Sequence, residues 1–264
     1  MGTTAAHRRR PGSIVVLSPS AVALALLFLS TTLRLAAAVQ PYGGGGPCAL
    51  AVAPLGYPCE EHQVTTADGY ILSLQRIPSG GRGGHGGGAG AGASSSRAGQ
   101  PVLLQHGVLV QDGMSWLLAS PEESLPFILA DRGFDVWIAN NRGTRWSRRH
   151  VSLDPSSRLY WNWSWDDLVV NDLPAMVDFV VKQTGQKPHY VGHSMVPSLS
   201  HYGGRDSLAD PADVRLLLQD LPGHDQDKLT VQYLDKFAHL DFIIGVCAKD
   251  YVYKDMIDFL NRFN

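Results

Sequence analysis

The chain has 264 residues, enough for one sizeable α/β domain. Hydrophobic residues make up 44% and charged residues 17%, ordinary for a globular protein. A net charge of −2 leaves no electrostatic case for nucleic acid, and no internal repeat is visible.

Residues 1–39 read as a signal peptide. Arg8, Arg9 and Arg10 form a positive start, Ala21 to Leu29 an apolar run, and LAAAVQ offers small residues for cleavage near Ala38 or Val39. A membrane anchor is the weaker alternative. The run falls well short of the ~20 residues that span a bilayer, and Arg34 prevents its extension.

Secretion places the three cysteines in an oxidising compartment. Cys48 and Cys59 are the natural pair, closing a short loop just after the signal; three free buried thiols are the alternative. Cys247 is left over as a small core hydrophobe. No CxxC and no metal-type Cys/His cluster is present. Asn162-Trp163-Ser164 is a glycosylation sequon at Asn162, with burial inside YWNWSWDDL as the competing reading.

From residue 40 the chain reads as one domain. HQVTTADGYILSLQRIP alternates about a turn at Asp68-Gly69 and predicts a hairpin. Residues 79–100 are a Gly/Ser-rich loop with no means of burying a core, and His85 within it reads as solvated. PVLLQHGVLV is a buried strand breaking at His106-Gly107. SPEESLPFILADRG predicts a helix opened by Ser120 as cap, with Pro121 at its first position. FDVWIANNRG is another buried strand. SWDDLVVNDLPAMVDFVVKQTG is a helix capped by Ser164 and closed by Gly185, and HYVGHS is a third strand. Strands alternating with helices imply an α/β fold with a mostly parallel sheet flanked by helices.

Chemistry in such sheets gathers at the carboxyl ends of the strands. Ser194, at a sharp strand-to-helix turn, has the nucleophile-elbow arrangement. Serine needs a histidine base oriented by a carboxylate. Asp206, after Gly203-Gly204, and His239, after LTVQYL, come in the required order. Singly, each residue fits a turn, a cap or a satisfied core histidine. Together they favour a triad.

The chain resembles the acid lipases, the group of gastric and lysosomal acid lipases and their plant triacylglycerol lipase relatives. The plant branch is nearest. The resemblance rests on EEHQVTTADGYILSLQRIP, VLLQHGVL, SLPFILADRGFDVWIANNRGTRWSRRH, WNWSWDDLVVNDLPAMVDFVVKQTGQKPHYVGHS, YGGRDSLADPADV and AHLDF. It implies an α/β-hydrolase fold. It implies hydrolysis of triacylglycerols or sterol esters at a lipid–water interface, with no metal or cofactor. It assigns Ser194 as nucleophile, Asp206 as acid and His239 as base, and Val108 and Met195 as donors of the oxyanion N–H groups. It implies the secretory pathway, ending outside the cell or in a vacuole or lysosome.

The chain departs from the family at YVGHSMVPSLSHYGGRD. The family glycine after the elbow is Val196, and Pro197 comes next. Eleven residues separate Ser194 from Asp206. The family carries further strands and a cap there, roughly a domain's worth of chain, about 100 residues or more. The chain therefore reads as a truncated member lacking the cap, with its junction near 195–200. Pro197 disfavours helix at Val196. Parallel neighbours in one sheet need a crossover of about a dozen residues or more. Four residues lie between Ser194 and a strand beginning at Leu199, so that strand cannot pair beside HYVGHS in parallel. The alternative function is a catalytically impaired or inactive isoform, or a lipid-binding product.

Overall fold

The computed structural model describes residues 45–79, 99–107, 111–194, 199–206, 208, 211–212, 214–215 and 230–262. The signal segment 1–39, most of the 79–100 loop, and Val108 and Met195 lie outside the described residues.

The hairpin forms as its alternation requires. Strand β1 (Glu60–Thr65) pairs antiparallel with β2 (Tyr70–Ile77) across the Asp68-Gly69 turn. Beyond β2 lie β4 (Asp135–Asn140), β3 (Pro101–Gln105) and β6 (His189–Gly192), in the order β1-β2-β4-β3-β6. The short β5 (Arg149–His150) pairs with the start of β2. Among the described residues of this sheet, β3·β4 and β3·β6 are parallel, while β2 pairs antiparallel with β1, β4 and β5. The sheet is therefore mixed rather than mostly parallel. Its N-terminal part is a hairpin, which joins antiparallel by construction.

Every residue of β3 and β4 is buried, because both faces of the sheet are covered. Alternate side chains serve two cores. Val102, Leu104, Val136 and Ile138 face a cluster containing Phe127, Phe242 and Ile257. Leu103, Trp137 and Ala139 face Met176, Val180 and Tyr160. Helices α1 (Leu125–Asp131) and α3 (Lys254–Asn261) pack on the first side, and α2 (Leu173–Thr184) on the second.

Helix α1 begins later than the sequence suggests. Ser120 closes a turn by accepting the Glu123 and Ser124 N–H groups, and the helix starts after Ser124 with Pro126 in its first turn. A start at Pro121 would have placed Pro126 inside the helix, where its missing N–H and its ring break the ladder. The second helix matches expectation. Ser164 and Asp167 form a capping box, and Gly185 ends α2 in the left-handed region.

Strand β7 (Leu199–Gly203) does not join the main sheet. It pairs in parallel with β8 (Thr230–Leu234) in a separate two-stranded sheet. Cys48 and Cys59 are disulfide-bonded. Cys247 is exposed rather than in the core, because the neighbouring Ala248 takes the buried place. No helix among the described residues is long and apolar enough to cross a membrane.

Candidate active site

Strands β3, β4 and β6 run in one direction, so their carboxyl ends share one edge of the sheet. Ser194 stands two residues beyond β6 on that edge. Its φ of 69° is the only positive value at a non-glycine among the described residues. A serine held in the left-handed region at the end of a parallel strand is the strained geometry of a nucleophile elbow. Its side chain is exposed. Gly107, two residues past β3, backs directly onto it: a side chain there would sit 2.8 Å from Ser194 Cβ.

Asp206 and His239 hang from the other sheet, past the parallel ends of β7 and β8. His239 Nδ1 lies 2.9 Å from Asp206 Oδ2, and both residues are buried. Asp206 Oδ1 accepts the Leu208 N–H at 2.9 Å, which fixes the carboxylate. With its proton on Nδ1, His239 keeps Nε2 as an acceptor. The glycine pair before Asp206 permits this approach. A Cβ at Gly203 would lie 2.0 Å from the Phe237 carbonyl oxygen, and one at Gly204 2.4 Å from that of Asp235. Arg205 N–H and Gly204 N–H bond the carbonyls of Phe237 and Leu234, locking the two loops together.

His193 joins the two halves, a role the sequence does not reveal. Its Nε2 lies 2.9 Å from the His239 carbonyl, its Nδ1 3.1 Å from Gln111 Oε1, and its ring 4.7 Å from that of His239. Burial lowers its pKa, against the hydrogen bond to the His239 carbonyl, which raises it. Gln111 Oε1 also accepts the Gly107 N–H at 2.9 Å. His106 is fixed as well. Its Nε2 accepts the Asn141 N–H at 3.1 Å, and Nδ1 donates to the Gly107 carbonyl. Burial lowers its pKa, so it stays neutral and structural.

The structure thus brings Asp206 and His239 together and sets Ser194 beside the histidine's neighbour. Among the described residues, Ser194 donates no hydrogen bond to His239. A cavity of about 610 Å³ flanks the His239 loop, lined by Leu234, Phe237, Val246, Cys247 and Tyr251 among others.

Residues 49–120 match the family model described as a partial alpha/beta-hydrolase lipase region. Triacylglycerol lipase 2 of Arabidopsis thaliana is 56% identical over 156 residues, 59% of this chain and 35% of that protein. Triacylglycerol lipase 1 of the same plant is 39% identical over 200 residues, 75% of this chain and 47% of that protein. Human gastric triacylglycerol lipase is 47% identical over 142 residues, 53% of this chain and 33% of that protein. Over these stretches the chain is similar to triacylglycerol lipases of the acid lipase type. The chain spans between a third and a half of the length of those relatives. Its fold is that of the α/β-hydrolases. An esterase of Pyrococcus furiosus superposes with a TM-score of 0.56 at 14% identity, covering 83% of this chain and 96% of its own. XC6422 of Xanthomonas campestris, described as a serine hydrolase without a lid, gives 0.50 at 14% identity, covering 78% and 94%.

Proposed function

We propose that the chain is a serine ester hydrolase of the acid lipase type, acting on triacylglycerol or sterol esters. Ser194 Oγ gives its proton to His239 Nε2 as it attacks the ester carbonyl. The same proton passes to the departing alcohol, leaving an acyl-serine that water hydrolyses with His239 again as base. Asp206 holds the imidazole in the required tautomer, and the N–H groups of Val108 and Met195 receive the oxyanion charge. The observation that carries this reading is the left-handed Ser194 at a parallel strand end, whose chain neighbour His193 meets the backbone carbonyl of His239 in the buried His239–Asp206 pair.

Turnover is slow. Ser194 is not hydrogen-bonded to His239 among the described residues, and Val196-Pro197 stands where the elbow helix begins in the family. Loss of one oxyanion donor costs about 10²–10³-fold, and a displacement of ~1 Å about another 10²-fold. The purified chain is expected to hydrolyse a short nitrophenyl ester at least ~10⁴-fold more slowly than a full-length relative. That residual rate should vanish in Ser194→Ala and His239→Ala. A Ser194→Ala protein as active as the parent removes the triad reading and leaves a non-catalytic lipid-binding product.

The same reading places the chain in the secretory pathway after cleavage of residues 1–39, which the Cys48–Cys59 bridge supports. Asn162 is exposed, which favours glycan attachment there over burial.

A further inference from the structure

A second feature shares the edge of the sheet that holds Ser194. The segment after β4 leaves that edge and covers residues 141–164 before the helical turn at Trp165–Asp167. Strands β4 and β6 both flank β3, so the segment leaves the sheet two strand spacings, about 10 Å, from the end of β6, and its Arg149–His150 pairs with the start of β2 on the same edge. It carries large apolar side chains that the fold leaves in water, Val151 (65% exposed), Leu159 (66%) and Trp161 (42%), and Trp165 (52%) follows at the start of the helical turn. It is also strongly basic. Arg145, Arg148, Arg149 and Arg158 are exposed, against one exposed acid, Asp154, between residues 141 and 163; exposed Asp166 lies just beyond.

The two characters are interleaved rather than adjacent. The Arg148 guanidinium lies 5.5 Å from the centre of the Trp161 ring, and that of Arg145 4.2 Å from Trp146. Leu159 and Trp161 share one 3₁₀ turn with Arg158. That turn is anchored from beneath: Tyr160 is fully buried, its hydroxyl donates to the Ser147 carbonyl at 3.2 Å, and Trp161 Nε1 donates to the Pro155 carbonyl at 2.7 Å. Burial of Tyr160 therefore forces its neighbours Leu159 and Trp161 outward.

We propose that this face docks the chain on an anionic lipid–water interface. Indole rings favour the boundary between headgroups and acyl chains, and arginines flanking them meet the negative charge. The whole chain carries −2, so long-range attraction does not supply the binding, and the local patch must. The inference extends the ester-hydrolase reading by naming the surface on which that site meets lipid.

Binding is read with the Ser194→Ala chain, so hydrolysis plays no part. It is co-sedimented with vesicles of phosphatidylcholine alone, or with about 30% phosphatidylserine. Retention is expected on the anionic vesicles only, and it should fall steeply between about 0.1 and 0.5 M NaCl. One arginine at an anionic leaflet is worth roughly a fivefold factor in affinity, so Arg148→Glu with Arg158→Glu should weaken retention at least about 20-fold. Trp161→Ala with Leu159→Ala should weaken it at matched charge. Arg148→Gln with Arg158→Gln serves if the reversal disturbs folding, as judged by near-ultraviolet circular dichroism. Equal retention on neutral and anionic vesicles overturns the proposal, as does indifference to the arginine changes. Binding to a soluble anionic polysaccharide but not to vesicles overturns it too. A parent chain that cleaves soluble nitrophenyl esters yet ignores vesicles defeats this proposal and leaves the hydrolase reading standing.

Discussion

Arg142 shows how a single residue fixes the ground beneath the site. It is fully buried at the end of β4, stacked 3.9 Å from the centre of the Tyr70 ring. Its Nε bonds Asp172 Oδ1 at 2.8 Å, and its NH1 bonds Asp68 Oδ2 at 2.6 Å. The Arg142 N–H donates to Asp172 Oδ2 at 3.0 Å. One guanidinium thus ties the hairpin turn, β4 and the helix before α2. Removing one partner of a buried pair leaves an uncompensated charge, at a cost of about 3–5 kcal/mol. Arg142→Met should lose that much stability in urea unfolding, and adding Asp172→Asn should restore part of it. A loss below ~1 kcal/mol would show that the pair contributes nothing net. The histidines set a pH dependence. Burial depresses His106 and His193, so below about 6.5, the ordinary imidazole pKa, the unfolded chain binds protons that the folded chain refuses. Stability is then fully present above that value and declines as pH falls. The melting temperature should drop between pH 7 and 5, and His106→Asn should flatten the slope. An unchanged slope in that variant removes His106 as a cause.

At the level of elements, local chemistry is legible in the sequence and long-range partnership is not. The alternation of Val102 and Leu104 against Leu103 gives β3 its two faces, and the sequence carries that directly. The capping box at Ser164 and the stop at Gly185 are equally local. The start of helix α1 is ambiguous because two serine–proline signals stand close together, and only the position of Pro126 decides between them. The pairing of β7 with β8 joins segments some thirty residues apart, and no local pattern encodes it. The Asp206–His239 pair is legible from chain order, whereas the His193 link depends on where the His239 backbone arrives. The Cys48–Cys59 bridge belongs to this scale as well. It closes a loop with a sequence separation of 11 and ties the segment before β1 to that strand, where Cys48 N–H also bonds Glu61 Oε1 at 2.8 Å. A loop of that order contributes about 2–4 kcal/mol by restricting the unfolded chain. Replacing both cysteines with serine should lower stability by that amount in denaturant, and an unchanged midpoint would count against the bridge.

Across the whole molecule, the candidate triad is divided between two sheets. Ser194 comes after β6 in the six-stranded sheet, whereas Asp206 and His239 come after the strands of the two-stranded one. The large sheet is covered on both faces, and Leu103, Ile138 and Trp137 are fully buried. The small sheet is not: Val231 and Tyr233 are each 42% exposed. An isolated pair of strands is marginally stable at best in water, and parallel pairing is slightly the weaker kind. The small sheet should therefore open locally at a free energy well below that of global unfolding. Each opening carries Asp206 and His239 away from Ser194 together, because Gly203 and Gly204 press their two loops against one another. Native-state hydrogen exchange is expected to show Tyr233 and Leu234 amides exchanging at least ~10²-fold faster than those of Leu103, Ile138 and Val191, in step with one another. A Gly203→Ala change should raise the small-sheet rates further, since its Cβ would meet the Phe237 carbonyl, and leave those of Leu103 and Ile138 nearly unaltered. Equal protection across both sheets would mean that they unfold as one body. The slow turnover proposed for the chain would then have to come from the elbow alone.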